Sequence, residues 1–99
     1  MFSMRQPLEP FQIQEALGGL EGWALDDGKL LKTYVFMDFK AALIFINRVG
    51  EVSEKLNHHP EILNIWNKVT LRLSTHDAGN RITEKDLTLA RAIQSLDVS

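Results

Sequence analysis

A long amphipathic segment, with a hairpin-like segment on each side of it, is the feature that most limits how this chain can fold. Asp38 is a good helix N-cap, and apolar or small side chains then recur at three- and four-residue steps. These positions are Phe39, Ala42, Leu43, Ile46, Val49, Ser53 and Leu56. The spacing predicts a helix over 39–56 with this face packed on a core. His59-Pro60 is predicted to end it, because proline disfavours helical backbone at the preceding residue.

Two β-hairpins are predicted, one before and one after this helix. The predicted strands cover 23–25, 30–36, 62–66 and 69–74. Asp27-Gly28 is a common two-residue hairpin turn and joins the first pair. Asn67-Lys68 is the predicted turn of the second pair, whose return strand alternates apolar and polar residues. That alternation is typical of a strand with one buried face.

A short helix is predicted near the N-terminus. Pro10 suits the first turn of a helix that runs to about Leu17, and Gly18-Gly19 would end it. Residues 1–8 are predicted to be a loose N-terminal segment.

The last helix has a clear start signal. Thr83 with Asp86 resembles a capping box, and Ile82 with Leu87 resembles a hydrophobic staple. The predicted buried stripe consists of Leu89, Ala92, Ile93 and Leu96. Residues 77–81 are predicted to form the loop before this helix.

The order of elements, α-β-β-α-β-β-α, predicts an α+β fold. Two antiparallel hairpins would join into one four-stranded antiparallel sheet, with the helices covering one face. A second subunit is a candidate to cover the other face or an edge strand. The chain of 99 residues is predicted to be a single domain, and its 44% hydrophobic content is enough for one core.

Composition narrows the possible classes of function. The chain has no cysteine, so a disulfide framework and a thiolate metal site are excluded. Its N-terminus lacks the apolar run of a signal peptide, and no stretch approaches the roughly 20 apolar residues of a membrane span. We therefore expect a cytoplasmic protein without a membrane partner. The 11 basic and 13 acidic residues are intermixed, which argues against direct nucleic-acid binding.

All three histidines of the chain are predicted to meet at one end of the sheet. His58 and His59 lie between the long helix and the second hairpin, and His76 follows that hairpin. The hairpin brings its two ends together, so the three imidazoles would share one rim. The unperturbed pKa of histidine, about 6.5, suits proton transfer near neutral pH. The cluster indicates a site that moves protons or holds a ligand.

Zinc binding and purely structural roles remain open for these residues and their neighbours. Three histidines are a known zinc ligand set, but adjacent residues in extended backbone point apart, so His58 and His59 would not easily share an ion. Asp86 can be a purely structural cap. Glu54 can be a solvated residue, although a carboxylate at a helix C-terminus opposes the dipole. Trp66 is more typical of a core residue than of a ligand platform.

The spacing of these residues resembles the signature of the pterin-4a-carbinolamine dehydratases. The pattern is Glu54-x3-His58-His59-Pro60-x5-Trp66-x9-His76-x9-Asp86. The resemblance covers roughly residues 9–96 and is densest over 54–90. It implies the same α-β-β-α-β-β-α fold and a homodimer or a homotetramer in which sheets or helices pair between subunits.

The implied activity is that of a hydro-lyase. The family converts 4a-hydroxytetrahydropterin, the spent cofactor of aromatic amino acid hydroxylases, to quinonoid dihydropterin and water. An acid protonates the leaving hydroxyl group and a base accepts a proton from a ring nitrogen, so histidines suit both tasks. The reaction includes no redox step, and neither a metal nor another cofactor is expected.

The resemblance also implies a role for each site residue. The catalytic set is His58, His59 and His76, with His58 and His76 as the acid/base pair and His59 mainly binding the pterin. The expected substrate-binding residues are Asn57, His58, His59, Ser74, Thr75, His76 and Asp77. The expected supporting residues are Glu54, Trp66 and Asp86. Asn57 replaces an aspartate of the animal members and Trp66 a tyrosine, which affects the expected rate and pH optimum.

Two alternative functions remain. Animal members of the family also act as dimerisation cofactors of a homeodomain transcription factor, which they bind through the long helix. The exposed face of that helix is predicted here to be polar and consists of Lys40, Asn47, Arg48, Glu51 and Lys55. The other alternative is a pterin role in molybdopterin metabolism.

Overall fold

The computed structural model describes residues 6–96 and has the predicted α+β architecture. Its elements are α1 (Pro10–Leu17), β1 (Ala24–Asp26), β2 (Lys29–Val35), α2 (Phe39–Leu56), β3 (Glu61–Ile65), β4 (Lys68–Leu73), a 3₁₀ turn (His76–Ala78) and α3 (Glu84–Gln94). The order α-β-β-α-β-β-α is therefore confirmed. Within the described part of the chain, no helix is long and apolar enough to cross a membrane.

The sheet is antiparallel throughout, with strands in the order β1-β2-β4-β3. In β4, Val69, Leu71 and Leu73 are buried in the core, whereas Thr70 and Arg72 between them are only partly covered. Successive side chains of a strand point to opposite faces, so one face of the sheet carries the core and the other is open. The hairpin β3–β4 places the start of β3 and the end of β4 at the same end of the sheet.

The buried face of α2 differs from the predicted one. Its buried residues are Ala42, Phe45, Val49 and Ser53. Phe39, Leu43 and Leu56, predicted to be buried, are 45%, 40% and 38% exposed. The helix carries apolar residues over a wider arc than the core covers, and packing against the sheet decides which of them are buried. The predicted polar outer face is therefore incomplete, because apolar side chains lie beside it.

The residue that ends α2 also differs from the prediction. The helix stops where expected, but Asn57 rather than His59-Pro60 ends it, with left-handed backbone angles (φ 51°, ψ 44°). The N–H of His58 donates to the carbonyl of Ser53 (3.1 Å), which closes the last turn. Asparagine enters the left-handed region more readily than most residues, so it can replace glycine at this position. The reversal keeps His58 next to the end of the helix.

The turn between β3 and β4 lies one residue earlier than predicted. It consists of Trp66 and Asn67, and Lys68 is already paired with Ile65 in the sheet. Trp66 has a positive φ of 51°. Asn67 is held by Phe36, whose N–H donates to its carbonyl (2.8 Å) and whose carbonyl accepts from its side-chain amide (2.9 Å). Pairing with the neighbouring chain segment sets this register.

The remaining differences are small. Trp23 lies just before β1 and is buried, and Phe36 lies just after β2. Part of the loop predicted over 77–81 belongs to the 3₁₀ turn. Of the N-terminal segment predicted to be loose, residues 1–5 lie outside the described residues, while Leu8 is buried and its N–H donates to the carbonyl of Ile82 (2.9 Å).

A polar cluster beneath the helices ties β2 to the end of α3. The ammonium of Lys32 donates to the carbonyl of Glu21 (2.9 Å) and to Oε1 of Gln94 (3.1 Å), and it lies 4.6 Å from the ring centroid of Tyr34. The indole N–H of Trp23 donates to the same Gln94 oxygen (3.2 Å). Burial lowers the pKa of Lys32, against a smaller opposing effect of the Glu21 charge, and burial raises the pKa of Tyr34.

The raised pKa of Tyr34 predicts a loss of stability at alkaline pH. The unfolded chain releases the phenol proton near the ordinary value of 10.0, while the folded chain holds it to higher pH. The contribution of Tyr34 to the free energy of unfolding is complete below the ordinary value of 10.0 and is lost as the pH rises through the pKa of the folded state. Tyr34→Phe is therefore expected to flatten the alkaline decline of the free energy of unfolding, measured by urea titrations at increasing pH.

Lys32 changes the free energy of unfolding in the opposite direction in both proteins. Its lowered pKa means that the buried ammonium destabilises the folded state at lower pH, and this destabilisation is relieved as the pH rises toward the ordinary value of 10.5. Comparing wild type with Tyr34→Phe at each pH removes that common effect. Identical alkaline slopes in the two proteins would contradict the prediction.

Candidate active site

One cleft gathers most of the residues that the sequence singled out. It has a volume of about 300 Å³ and lies where the end of α2, the exit of β4 and the start of α3 meet. Its lining residues are Asn57, His58, His59, Ser74, Thr75, His76, Asp77 and Lys85. All seven residues predicted to bind a substrate are in this set. The β3–β4 hairpin brings residues 57–59 and 74–77 together, because it returns the chain to the end of the sheet where β3 began.

His58 is held by a buried carboxylate. Its Nε2 lies 2.6 Å from Oδ1 of Asp86, and the exposed fractions of the two residues are 9% and 0%. His58 follows the left-handed residue that ends α2, and Asp86 stands in the first turn of α3. A buried carboxylate is stable only when it is paired and hydrogen-bonded, so this contact fixes the orientation of the imidazole.

Asp86 also completes the predicted capping box, which is confirmed. Its Oδ2 accepts from the backbone N–H of Thr83 (2.9 Å) and from the hydroxyl of Thr75 (2.8 Å). The hydroxyls of Thr75 and Thr83 lie 2.6 Å apart. Among the described residues, every buried side-chain nitrogen and oxygen has a hydrogen-bond partner. Asp86 is therefore both a structural cap and the partner of a site histidine.

His59 is paired with a different carboxylate, in a more open setting. Its Nε2 lies 2.5 Å from Oε2 of Glu54, and the side chains are 57% and 77% exposed. Glu54 is thus not simply a solvated residue: it contacts the histidine that follows its own helix. The adjacent His58 and His59 engage separate partners, as expected for neighbouring residues that point apart. Across residues 6–96, no three histidine, aspartate or glutamate side chains are grouped so as to hold a metal ion.

His76 also lines the cleft and stands on the 3₁₀ turn after β4. It is exposed, and within residues 6–96 its imidazole makes no hydrogen bond to another side chain. Gly79 ends the turn with a positive φ of 73°, and the N–H of Thr75 donates to the carbonyl of Arg81 (2.8 Å). These backbone contacts position the turn and leave the ring of His76 free to meet a ligand.

Trp66 does not join this cluster. It stands at the tip of the β3–β4 hairpin and is 65% exposed, whereas the histidines lie at the opposite end of that hairpin. A strand the length of β3 separates the two ends by about 17 Å. Within one subunit Trp66 is therefore not a part of the cleft.

Sequence reasoning missed two residues of the site. Lys85 lines the cleft and brings a positive charge to its edge, and Thr83 forms the buried layer behind Asp86. The position of Lys85, directly before the residue that binds His58, was the available signal. The sequence indicates the cap at Thr83, but the hydroxyl contact of Thr83 with Thr75 depends on the tertiary fold.

Taken together, the fold and the cleft define a small α+β protein with a histidine–carboxylate site. The family model for pterin 4 alpha carbinolamine dehydratase matches residues 6–96. A relative from Opitutus terrae named for pterin-4-alpha-carbinolamine dehydratase is 48% identical over 84 residues, which cover 85% of this chain and 87% of the relative. One from Thermosynechococcus vestitus with the same name is 40% identical over 95 residues, covering 96% and 99%.

A solved structure agrees with these sequence matches. The crystal structure of a transcriptional coactivator/pterin dehydratase from Brucella melitensis is similar with a TM-score of 0.84 and 36% identity, covering 91% of this chain and 97% of that one. The chain belongs to the pterin 4 alpha carbinolamine dehydratase family, a family of lyases.

The two carboxylate–histidine pairs predict very different effects of removing a charge. The carboxylate of Asp86 accepts hydrogen bonds from three donors and is fully buried. Asp86→Asn places an amide N–H₂ group, itself a donor, against one of them. We expect a loss of about 3 kcal/mol in the free energy of unfolding. Glu54→Gln alters an exposed pair, so we expect a loss of no more than about 1 kcal/mol.

Urea unfolding of both variants at one neutral pH, followed by circular dichroism, measures this difference. Equal losses in the two variants would show that burial does not distinguish the pairs.

Proposed function

We propose that this protein dehydrates 4a-hydroxytetrahydropterin to quinonoid dihydropterin at the histidine cleft. The observation that carries the proposal is the pairing of His58 with buried Asp86 in a cleft that His76 also lines. Membership of the family supports the same activity. A fixed imidazole and a free imidazole facing one cavity are suited to two proton transfers on one ligand.

The reaction balances with proton transfers alone. The substrate's C4a–O bond breaks as the hydroxyl group takes up a proton, and the group leaves as water. A ring N–H gives up its proton, and its electron pair forms the new double bond to C4a. We assign the two transfers to the pair His58 and His76, so that the enzyme returns to its starting protonation state by one exchange with solvent.

The other cleft residues bind and orient the pterin. His59, supported by Glu54, offers an exposed imidazole at the rim. Asn57, Ser74 and Asp77 add polar groups at the edge of the cavity, which suit a flat heterocycle with several donors and acceptors. The hydroxyl of Thr75 already bonds to Asp86, so we assign Thr75 to holding the site rather than to side-chain contact with substrate.

Substitution of each histidine tests these roles. His58→Gln keeps an amide donor for Asp86 but cannot transfer a proton, and His76→Ala removes the facing imidazole. Each is expected to lower kcat by about 10² or more. His59→Ala is expected to raise KM more than it lowers kcat. Gln is preferred at position 58 because that side chain is buried and alanine would leave Asp86 without this donor.

The measurement is the loss of 4a-hydroxytetrahydropterin, generated in situ by an aromatic amino acid hydroxylase, with and without the protein. A metal chelator is included in a parallel series, and circular dichroism confirms the fold of each variant. A rate equal to the spontaneous rate with folded wild-type protein would refute the proposed activity. Wild-type turnover in both His58→Gln and His76→Ala would refute the assignment of the acid/base pair.

We also propose that the protein forms a homo-oligomer. The edge strand β3 exposes Leu63 and Ile65 (54% and 65%), and α2 exposes Phe39 and Ile44 (45% and 54%). An open strand edge with apolar side chains is a surface that folded proteins normally cover. Two such surfaces on one subunit favour a homotetramer, in which each surface pairs with its copy.

Charge substitutions test these two surfaces separately. Ile65→Lys on β3 and Ile44→Lys on α2 are each expected to reduce the wild-type tetramer to dimers, because a buried lysine opposes pairing at one surface only. Phe11→Lys on α1, where Phe11 is 71% exposed, is the matched control and should leave the mass unchanged. Light scattering after gel filtration gives the mass. A monomeric wild-type protein would contradict the proposal.

The exposed apolar residues of α2 also support the second candidate function, that of an interaction protein. The relative from Brucella melitensis is called both a coactivator and a dehydratase. Absence of dehydration by folded protein would favour this function, and an active enzyme in an organism without an aromatic amino acid hydroxylase would favour the molybdopterin alternative.

A further inference from the structure

Behind the cleft lies a pair of buried hydroxyls for which the proposed proton transfers have no direct use. Thr75 and Thr83 are 3% and 0% exposed, and their Oγ1 atoms lie 2.6 Å apart. Thr75 also reaches Oδ2 of Asp86 at 2.8 Å. Thr75 follows β4 and Thr83 caps α3, so the contact joins the two segments that flank the cleft.

The direction of these hydrogen bonds follows from counting protons. Each threonine hydroxyl has one hydrogen to donate. If Thr75 donated to Thr83, an oxygen lone pair of Thr75 would face the carboxylate of Asp86 at 2.8 Å with no proton between them. Thr75 must therefore donate to Asp86, and Thr83 must donate to Thr75. The lone pairs of the Thr83 hydroxyl oxygen accept from the backbone N–H groups of Lys85 (3.2 Å) and Asp86.

The result is a one-way chain of donors that ends on Asp86. The chain runs from the N–H of Lys85 through the hydroxyls of Thr83 and Thr75 to Oδ2 of the carboxylate. The N–H of Thr83 donates to the same oxygen (2.9 Å). An ionised carboxylate accepts at every lone pair, whereas a protonated one must donate once. The two donors occupy Oδ2 and leave Oδ1 of the carboxylate to accept from Nε2 of His58.

This arrangement selects one tautomer of His58. With Nε2 carrying a hydrogen toward Asp86, the lone pair of the neutral ring lies on Nδ1. Every buried side-chain nitrogen and oxygen among residues 6–96 has a partner, and Nδ1 of His58 has none there, so Nδ1 reaches the surface. The side chain is 10% exposed and borders the cleft.

We propose that Thr83 and Thr75 are positioning residues that act through Asp86 to hold His58 as its Nε2–H tautomer, so that Nδ1 exchanges the proton with the substrate. This inference rests on the proposed dehydration for its catalytic meaning, but the tautomer itself is a property of the free protein. No comparable chain of hydroxyls supports Glu54. Its partner His59 is exposed, and no hydroxyl of the described residues donates to its carboxylate.

The test begins with the wild-type protein. Protein labelled with ¹⁵N at histidine is studied by long-range ¹H–¹⁵N correlation at a pH where the imidazoles are neutral, and the signals of His58 are assigned from the loss of one set in His58→Gln. We expect a protonated Nε2 and an unprotonated Nδ1. A wild-type His58 that carries its hydrogen on Nδ1 would overturn the proposal.

Threonine variants then test the chain itself. Thr75→Val and Thr83→Val remove one hydroxyl each while keeping the side-chain shape. Thr75→Val removes a direct donor to Asp86 and is expected to give a mixture of His58 tautomers, whereas Thr83→Val leaves that donor in place and is expected to give a smaller change in the same direction. In Thr75→Val turnover is expected to fall about tenfold, the effect of losing one hydrogen bond to a charged group, with KM little changed; Thr83→Val loses a hydrogen bond between neutral groups, so its turnover should fall less. Thr75→Ser and Thr83→Ser restore the hydroxyl and should restore both the wild-type spectrum and kcat.

A matched control exists on the open face of the sheet. The hydroxyls of Thr33 and Thr70 form a similar pair at 3.0 Å, so Thr70→Val breaks a threonine–threonine contact away from the cleft. It should change neither the His58 signals nor kcat. An unchanged His58 tautomer in Thr75→Val would refute the proposal, and so would a failure of Thr75→Ser to restore kcat. Should Thr83→Val not fold, Thr75→Val and the wild-type spectrum still decide the question.

The spectra separate this inference from the proposed function. The expected tautomers in a protein without dehydratase activity would support the chain and refute the reaction. A dehydratase whose His58 signals ignore Thr75 would support the reaction and refute the chain.

Discussion

The structure depends on the satisfaction of one fully buried carboxylate. Asp86 is 0% exposed, and a charge in that position is tolerated only if donors surround it. Its donors come from three segments: His58 after α2, Thr75 after β4 and the N-terminus of α3 at Thr83. The chain can satisfy the carboxylate only when these segments meet. The same requirement therefore ties the ends of three elements together and forms the cleft between them.

A helix N-terminus is a suitable place for such a carboxylate. The first N–H groups of a helix lack intrahelical partners, and the helix dipole favours negative charge there. Asp86 uses both effects through its capping box and still has an oxygen left for His58. Glu54 lies at the opposite end of a helix, where the dipole is unfavourable, and it is exposed to solvent. The two acids of the site thus differ in burial and in the number of donors they accept.

Much of this could be predicted from the sequence because the determinants are local. The Thr83–Asp86 box needs only neighbouring residues, and the hairpin alone brings His58 and His76 to one edge. Tertiary choices could not be predicted in the same way. Lys68 belongs to β4 because it pairs with Val35 and Ile65 in its final register. Likewise Phe45 is buried in place of Leu43 because its ring packs against Tyr34 and Phe36, contacts that only the folded chain provides.

The three histidines end up with unequal freedom, and that inequality suits the dehydration proposed for the cleft. The proposed reaction needs one proton delivered to the leaving hydroxyl group and another removed from a ring nitrogen, so it needs two groups at different positions. His58 is fixed by a buried partner, whereas His76 stands on an exposed turn without a side-chain partner in residues 6–96. A rigid group can define where the ligand must sit, and a free one can adjust to it. The burial of Asp86 therefore determines more than stability: it decides which histidine sets the geometry of the cleft.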